Sequence, residues 1–193
     1  MKNIAVFVSG SGSNAENLFN YFESSDTARV TVMLANRPDI YALTRAQRLG
    51  LEAVVFNREE FKSQDGVLKI LKDRKIDYIV LAGFLWLVPP ALIEAYSGRI
   101  LNIHPALLPN YGGKGMYGDA VHRAVIAAGE RESGITIHRV NEQYDSGDIL
   151  FQARVPLTEA DTPESCAAKV HELEYAHFPR IVEREILRSE AEA

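Results

Sequence analysis

Five short apolar runs divide the first 109 residues, and their spacing constrains the fold more than any other feature of the chain. Ile4 to Val8 is apolar throughout, as a strand covered on both faces must be. Val30 to Ala35, Ala53 to Phe56, Ile76 to Ala82 and Ile100 to Ile103 repeat the pattern. The segments between them carry apolar residues at helical spacing. Leu18, Phe19, Tyr21 and Phe22 follow the first run, and Ala42 to Leu49 follows the second with Gly50 as its stop. Val67, Leu68, Ile70 and Leu71 make Gly66 to Lys75 amphipathic, and Pro89-Pro90 opens a short helix ending near Tyr96. Strands and helices alternating at this pace build βαβ units. The expectation is an α/β, Rossmann-like fold: a mostly parallel sheet with helices on both faces.

The texture changes after Pro109. Asn110 to Gly118 holds four glycines and reads as a loop. Asp119 caps a helix through Ala128, and Gly134 to Val140 and Ile149 to Val155 read as two more strands around a polar stretch, Asn141 to Asp148. Thr162-Pro163 is an N-cap and first-turn pair for a helix with Ala167, Val170, Leu173 and Ala176 on one face. Pro179 is expected to break or kink it, leaving a last helix from Arg180 to Arg188 and a frayed tail. With no internal repeat and no linker, residues 1–193 read as one domain, a Rossmann-like half at 1–109 and a C-terminal half at 110–193.

Composition narrows the function classes. A formal net charge of −5 argues against a general nucleic-acid binder, whose footprint is basic. The single cysteine, Cys166, excludes an internal disulfide framework and fits a reducing compartment. The opening apolar run is too short for a signal segment, and no run approaches a membrane span, so a cytoplasmic protein without membrane contacts is expected.

Three stretches carry chemistry. In Ile100-Leu101-Asn102-Ile103-His104-Pro105, Asn102 and His104 stand two apart on a strand and so share a face. Pro105 ends the pairing, which puts both at the strand's carboxyl end, where open α/β sheets hold their ligands. An amide can donate to an oxyanion and an imidazole can move a proton, although an Asn and a His can also merely terminate a strand. Gly10-Ser11-Gly12-Ser13-Asn14-Ala15 offers successive backbone N–H groups at a helix N-terminus, an anion site, with Ser13 and Asn14 as further donors suited to a phosphate monoester. It also matches the dinucleotide pattern G-x-G-x-x-A, with Arg37 rather than an acid after the second strand, which leaves an NADP enzyme open. Tyr144-Asp145-Ser146-Gly147 is either an Asx turn or an Asp presented to a histidine. His122, His138, His171 and His177 read as packing or surface residues, and Arg45, Arg48, Lys72, Arg74 and Lys75 as solvated helix faces. No cluster has metal-ligand spacing.

Gly12-Ser13-Asn14, Asn102-Ile103-His104-Pro105-Ala106-Leu107-Leu108-Pro109 and Asp145-Ser146-Gly147 occur together and in order. The chain thereby resembles the phosphoribosylglycinamide formyltransferases, a branch of the folate-dependent formyltransferases, from the first strand to about residue 182. Related methionyl-tRNA formyltransferases and formyltetrahydrofolate deformylases carry an extra domain, and the length here fits the smaller branch. The resemblance implies transfer of the formyl group of 10-formyltetrahydrofolate, a co-substrate, to glycinamide ribonucleotide in purine biosynthesis, with no metal and with a homodimer compatible. It implies that residues 1–109 hold the nucleotide, its phosphate on Gly12, Ser13 and Asn14, with Glu174 on the ribose. It places the folate against Leu85, Trp86, Leu87 and Val88, along Asn141, Glu142, Gln143, Tyr144 and Asp145, with Arg58 as a further contact and Asn102 beside the formyl group. Asn102 would donate to the oxyanion. A protonated His104 would add a donor and help protonate the departing folate nitrogen, and Asp145 would orient His104 and raise its pKa. Departures from the family pattern lie in the loop Gly112 to Gly118, in Asp148 after Gly147, and in Trp86. A hydrolase passing the formyl group to water, and an NADP-dependent oxidoreductase, are the alternatives.

Overall fold

The computed structural model describes residues 1–192. Its strands are β1 (Lys2–Val8), β2 (Ala28–Ala35), β3 (Glu52–Val55), β4 (Tyr78–Leu81), β5 (Ile100–His104), β6 (Glu132–Arg139) and β7 (Ile149–Pro156). Its helices are α1 (Ser13–Phe22), α2 (Tyr41–Leu49), α3 (Arg58–Lys62), α4 (Val67–Asp73), α5 (Pro90–Ala95), α6 (Asp119–Ala127) and α7 (Pro163–Ala191). The strands form one seven-stranded sheet in the order β3-β2-β1-β4-β5-β6-β7. The first five are parallel, and β6 and β7 are antiparallel additions. Strand order therefore reverses between β1 and β4, and the crevice at such a switch point is where an α/β sheet binds its ligand.

The alternation within each strand sorts the core into two layers. Ile4, Val6 and Val8 of β1 pack with Ala15, Leu18 and Phe22 of α1 and with Val170, Phe178 and Val182 of α7. Ala5 and Phe7 face the other way, into a cluster with Phe61, Leu71 and Leu92 from α3, α4 and α5. Helices on both faces are the arrangement that the apolar runs require. The short helix α3 was not expected. Asn57 caps it, its side chain accepting from the Glu59 and Glu60 amides while Glu60 accepts from the Asn57 amide, a capping box written locally as Asn-x-x-Glu.

The expected break at Pro179 does not occur: α7 runs unbroken from Pro163 to Ala191, so Ser189 to Ala191 of the expected frayed tail are helical, and Ala193 lies outside the described residues. An interior proline costs about 3 kcal/mol, partly because the carbonyl four residues earlier loses its donor. That carbonyl belongs to Tyr175, and the Asn17 side-chain amide of α1 donates to it at 3.1 Å. Phe178, Ile181 and Val182 are buried around the proline, each contributing about 1.5–3 kcal/mol. Packing and one replacement bond together outweigh the local penalty. Among the described residues no helix is long and apolar enough to cross a membrane.

Candidate active site

A cavity of about 550 Å³ opens at the switch point. Its floor is two turns, Ser9 to Asn14 after β1 and Ala82 to Leu85 after β4. They are joined by hydrogen bonds from the Ser9 amide to the Gly83 carbonyl (3.2 Å) and from the Leu85 amide to Ser9 Oγ (3.0 Å). β5 delivers Asn102 and His104, the loop after it delivers Gly113 to Gly118, and the β6–β7 connection delivers Tyr144 and Asp145. Helices α6 and α7 close the far wall with His122, His171 and Glu174. The volume is within the usual range for small-molecule sites.

One end of this cleft is made of backbone. Gly12 sits at φ 75° before α1, and no side chain caps that helix, so its leading N–H groups stay open to an anion. A side chain on Gly12 would begin 2.6 Å from the Ala42 Cβ, so the turn lies directly on α2. Asn14 Nδ2 donates to Glu174 Oε2 at 2.8 Å, and Asn14 Oδ1 is buried without a partner among the described residues. His171 Nδ1 lies 2.8 Å from the same Glu174 oxygen, and this bond raises the His171 pKa. Glu174 is only 4% exposed, and these two neighbours supply hydrogen-bond partners to its buried carboxyl.

The other end is made of side chains from separate elements. Asn102 and His104 do share a face of β5, and both reach the cavity. His138 stands directly opposite Asn102 in the β5–β6 register. The His138 ring nitrogens lie 2.9 Å from the Arg139 carbonyl (Nδ1) and 3.0 Å from Asn102 Nδ2 (Nε2). The carbonyl requires the proton on Nδ1, so Nε2 accepts from Asn102, which fixes how that amide is turned. His104 donates Nε2–H to the Tyr111 carbonyl at 2.7 Å and presents Nδ1 to Asp145 Oδ1 at 3.5 Å. Asp145, at φ 52°, also accepts from the Gly113 amide through Oδ2 (2.9 Å) and lies 3.7 Å from His138 Nε2.

The electrostatics bear on the state of His104. Burial lowers the His104 pKa, and the Asp145 carboxylate and the Tyr111 carbonyl, which raise it, do not compensate. The resting imidazole is therefore held neutral rather than protonated at pH 7. Burial opposes ionisation of Asp145 as well, yet the His138 and His104 rings, when protonated, and the Gly113 amide outweigh it and hold the carboxyl below its usual value. Burial also depresses His122, whose Nδ1 lies 3.7 Å from Cys166 Sγ. The result is a neutral base beside an ionised carboxylate and an oriented amide donor, a set suited to acyl-type transfer through an oxyanion.

Of the residues singled out from sequence, Gly12, Ser13, Asn14, Leu85, Asn102, His104, Tyr144, Asp145 and Glu174 line the cavity. Arg58, Trp86, Leu87, Val88, Asn141, Glu142 and Gln143 do not. Val88 is buried in the core layer behind the wall, and Arg58 lies over the Trp86 ring, 4.4 Å from its centroid, beside the aromatic cluster of Phe56, Phe61 and Phe84. Asn141 accepts from the Gln143 amide and from Ser146 Oγ, so it shapes the turn that presents Asp145. Arg37 is exposed, bonded to Asp39 and outside the cavity, so nothing at that position favours a 2′-phosphate. Sequence reasoning passed over His122, His138 and His171. The i, i+3 spacing of His171 and Glu174 was a usable signal, whereas His138 is identified only by strand register. Arg45 is not a solvated helix residue: its side chain is 22% exposed and bonded to the Ser11 carbonyl of the glycine-rich turn.

Comparison with known proteins agrees with this geometry. The formyl transferase family model matches residues 2–182. A chloroplastic phosphoribosylglycinamide formyltransferase of Arabidopsis thaliana is 41% identical over 94% of this chain, and the chain spans 64% of that relative, just under two thirds. The phosphoribosylglycinamide formyltransferase of Haemophilus influenzae is 36% identical over 94% of this chain and 86% of its own length. The crystal structure of phosphoribosylglycinamide formyltransferase from Streptococcus pneumoniae superposes with a TM-score of 0.83 at 36% identity, covering 95% of this chain and 98% of that one. A match from β1 into α7 takes in both ends of the cleft, and the chain belongs to the formyl transferase family.

Proposed function

We propose that the chain transfers the formyl group of 10-formyltetrahydrofolate to the amine of glycinamide ribonucleotide, giving formylglycinamide ribonucleotide and tetrahydrofolate, as a step of purine biosynthesis in the cytoplasm. The observation that carries this reading is the division of one cleft: an open phosphate turn at one end, and Asn102, His104 and Asp145 together at the other. The nucleotide phosphate rests on the amides of Gly12, Ser13 and Asn14. Its ribose lies toward Glu174 and the unpartnered Asn14 Oδ1, both able to accept from hydroxyls. The folate enters past Leu85 and Tyr144, with Trp86, Arg58 and the Asn141 to Gln143 turn as its outer contacts. Residues 1–109 thus supply most of the nucleotide end, and residues 110–193 the folate-side turn and the closing helices.

The amine attacks the formyl carbon and the carbonyl oxygen gains charge. Asn102 Nδ2 has one N–H engaged by His138 and the other free, and it donates that one to the oxyanion. His104 Nδ1 takes the proton that the amine loses, and Asp145 beside it stabilises the imidazolium formed. The same proton passes to the folate N10 as the carbon–nitrogen bond breaks, so no covalent enzyme intermediate is needed. Holding both substrates in one cleft supplies the proximity. A spectrophotometric assay of folate product, run with and without glycinamide ribonucleotide, tests the reading. Product is expected only with the nucleotide. Equal product without it means a hydrolase, and none under either condition means neither.

A further inference from the structure

The phosphate turn is held from below by α2. The Ala42 amide donates to the Gly10 carbonyl at 3.2 Å, and Arg45 Nε donates to the Ser11 carbonyl at 2.9 Å. The only cis peptide among the described residues is Leu108-Pro109, so the 10–11 and 11–12 peptides are trans. In a trans peptide the carbonyl and the N–H point opposite ways. Two carbonyls drawn down onto α2 therefore turn the Ser11 and Gly12 amides up, into the cavity that both residues line. The same guanidinium, with that of Arg48, closes on Glu16 in the first turn of α1. Alone, that carboxylate would repel an anion at the helix N-terminus. With two arginines on one acid the base of the turn is net positive.

We propose that Arg45 is a positioning residue for the nucleotide's phosphate: it aims the Gly12 amide by holding the Ser11 carbonyl, and it masks Glu16. This rests on the assigned transfer reaction. Arg45 need not touch the substrate to act in this way, and the aim of the amide separates its part from that of Arg48, which touches Glu16 but not Ser11.

The test is steady-state kinetics of Arg45→Met, Arg45→Lys and Arg48→Ala with two acceptors, the nucleotide and its dephosphorylated nucleoside. For Arg45→Met the nucleotide KM is expected to rise about ten-fold, the loss of one charge-assisted hydrogen bond. The folate KM and the kcat/KM for the nucleoside stay within about two-fold of wild type, and Arg48→Ala raises the nucleotide KM by less than about three-fold. Arg45→Lys keeps the charge but not the fork and raises the KM as well, which carries the test if Arg45→Met does not fold. Equal losses with both acceptors would make Arg45 merely structural, and equal effects of Arg45→Met and Arg48→Ala would reduce it to net charge. Either result overturns the proposal. A wild-type enzyme that ignores the nucleotide overturns instead the reaction on which it rests.

Discussion

The two ends of the cleft are built by different means. The end proposed for the phosphate is the turn Ser9 to Gly12 between β1 and α1 with the opening residues of α1, and its donors are backbone amides. The transfer end is three side chains, Asn102, His104 and Asp145, oriented by His138, Tyr111 and Gly113 from other strands and loops. The first is expected to depend on backbone shape more than on side-chain identity. The second sits on fixed backbone and depends on side-chain chemistry.

The largest expected effect is at the transfer end. Asn102→Ala removes an oxyanion donor, and kcat should fall by about 10²–10³-fold. Rapid-quench or steady-state rates at saturating substrates measure it, and a nucleotide KM within a few-fold of wild type would keep the two ends separate. At the phosphate end, Gly12→Ala puts a Cβ 2.6 Å from that of Ala42 on a residue at φ 75°. Strain of this kind costs about 1–3 kcal/mol. Urea unfolding should show that loss, and the nucleotide KM should rise more than kcat falls. If kcat fell as far as in Asn102→Ala, the ends would not be separable.

The smallest effect is in pH dependence and sharpens the role of His104. Burial holds its pKa below the ordinary 6.5, and in the proposed reaction the neutral ring is the base. Activity should therefore be full at neutral pH and lost as pH falls through that lowered value. Asp145 raises the His104 pKa, so Asp145→Asn should move the acid limb to still lower pH while reducing the plateau. Activity lost as pH rises, rather than falls, through that value would mean that the imidazolium, not the imidazole, is the working form.

How much of this was legible in the sequence follows the same division. The phosphate turn, the five parallel strands and the shared face of Asn102 and His104 depend on residues within a few positions of one another, where periodicity and glycine placement speak directly. The partner of Asn102 lies 36 residues away across an antiparallel register. No local pattern marks His138 as different from a packing histidine. Pro179 misled for a related reason: its penalty is local, and the bond that offsets it comes from Asn17 on another helix. The protonation of His104 depends on how deeply the fold buries it, and only the assembled cleft sets that. Arg45 looked solvated because its bond to Ser11 closes across 34 positions.

The claim that the cleft divides its labour is tested most directly by the dissociation constant of glycinamide ribonucleotide for the Asp145→Asn enzyme, measured by titration calorimetry beside its turnover. The expected result is a constant within about two-fold of wild type, with turnover lowered by about 10²-fold or more. A nucleotide affinity that falls in step with turnover would contradict the division and make Asp145 part of the binding site for both substrates.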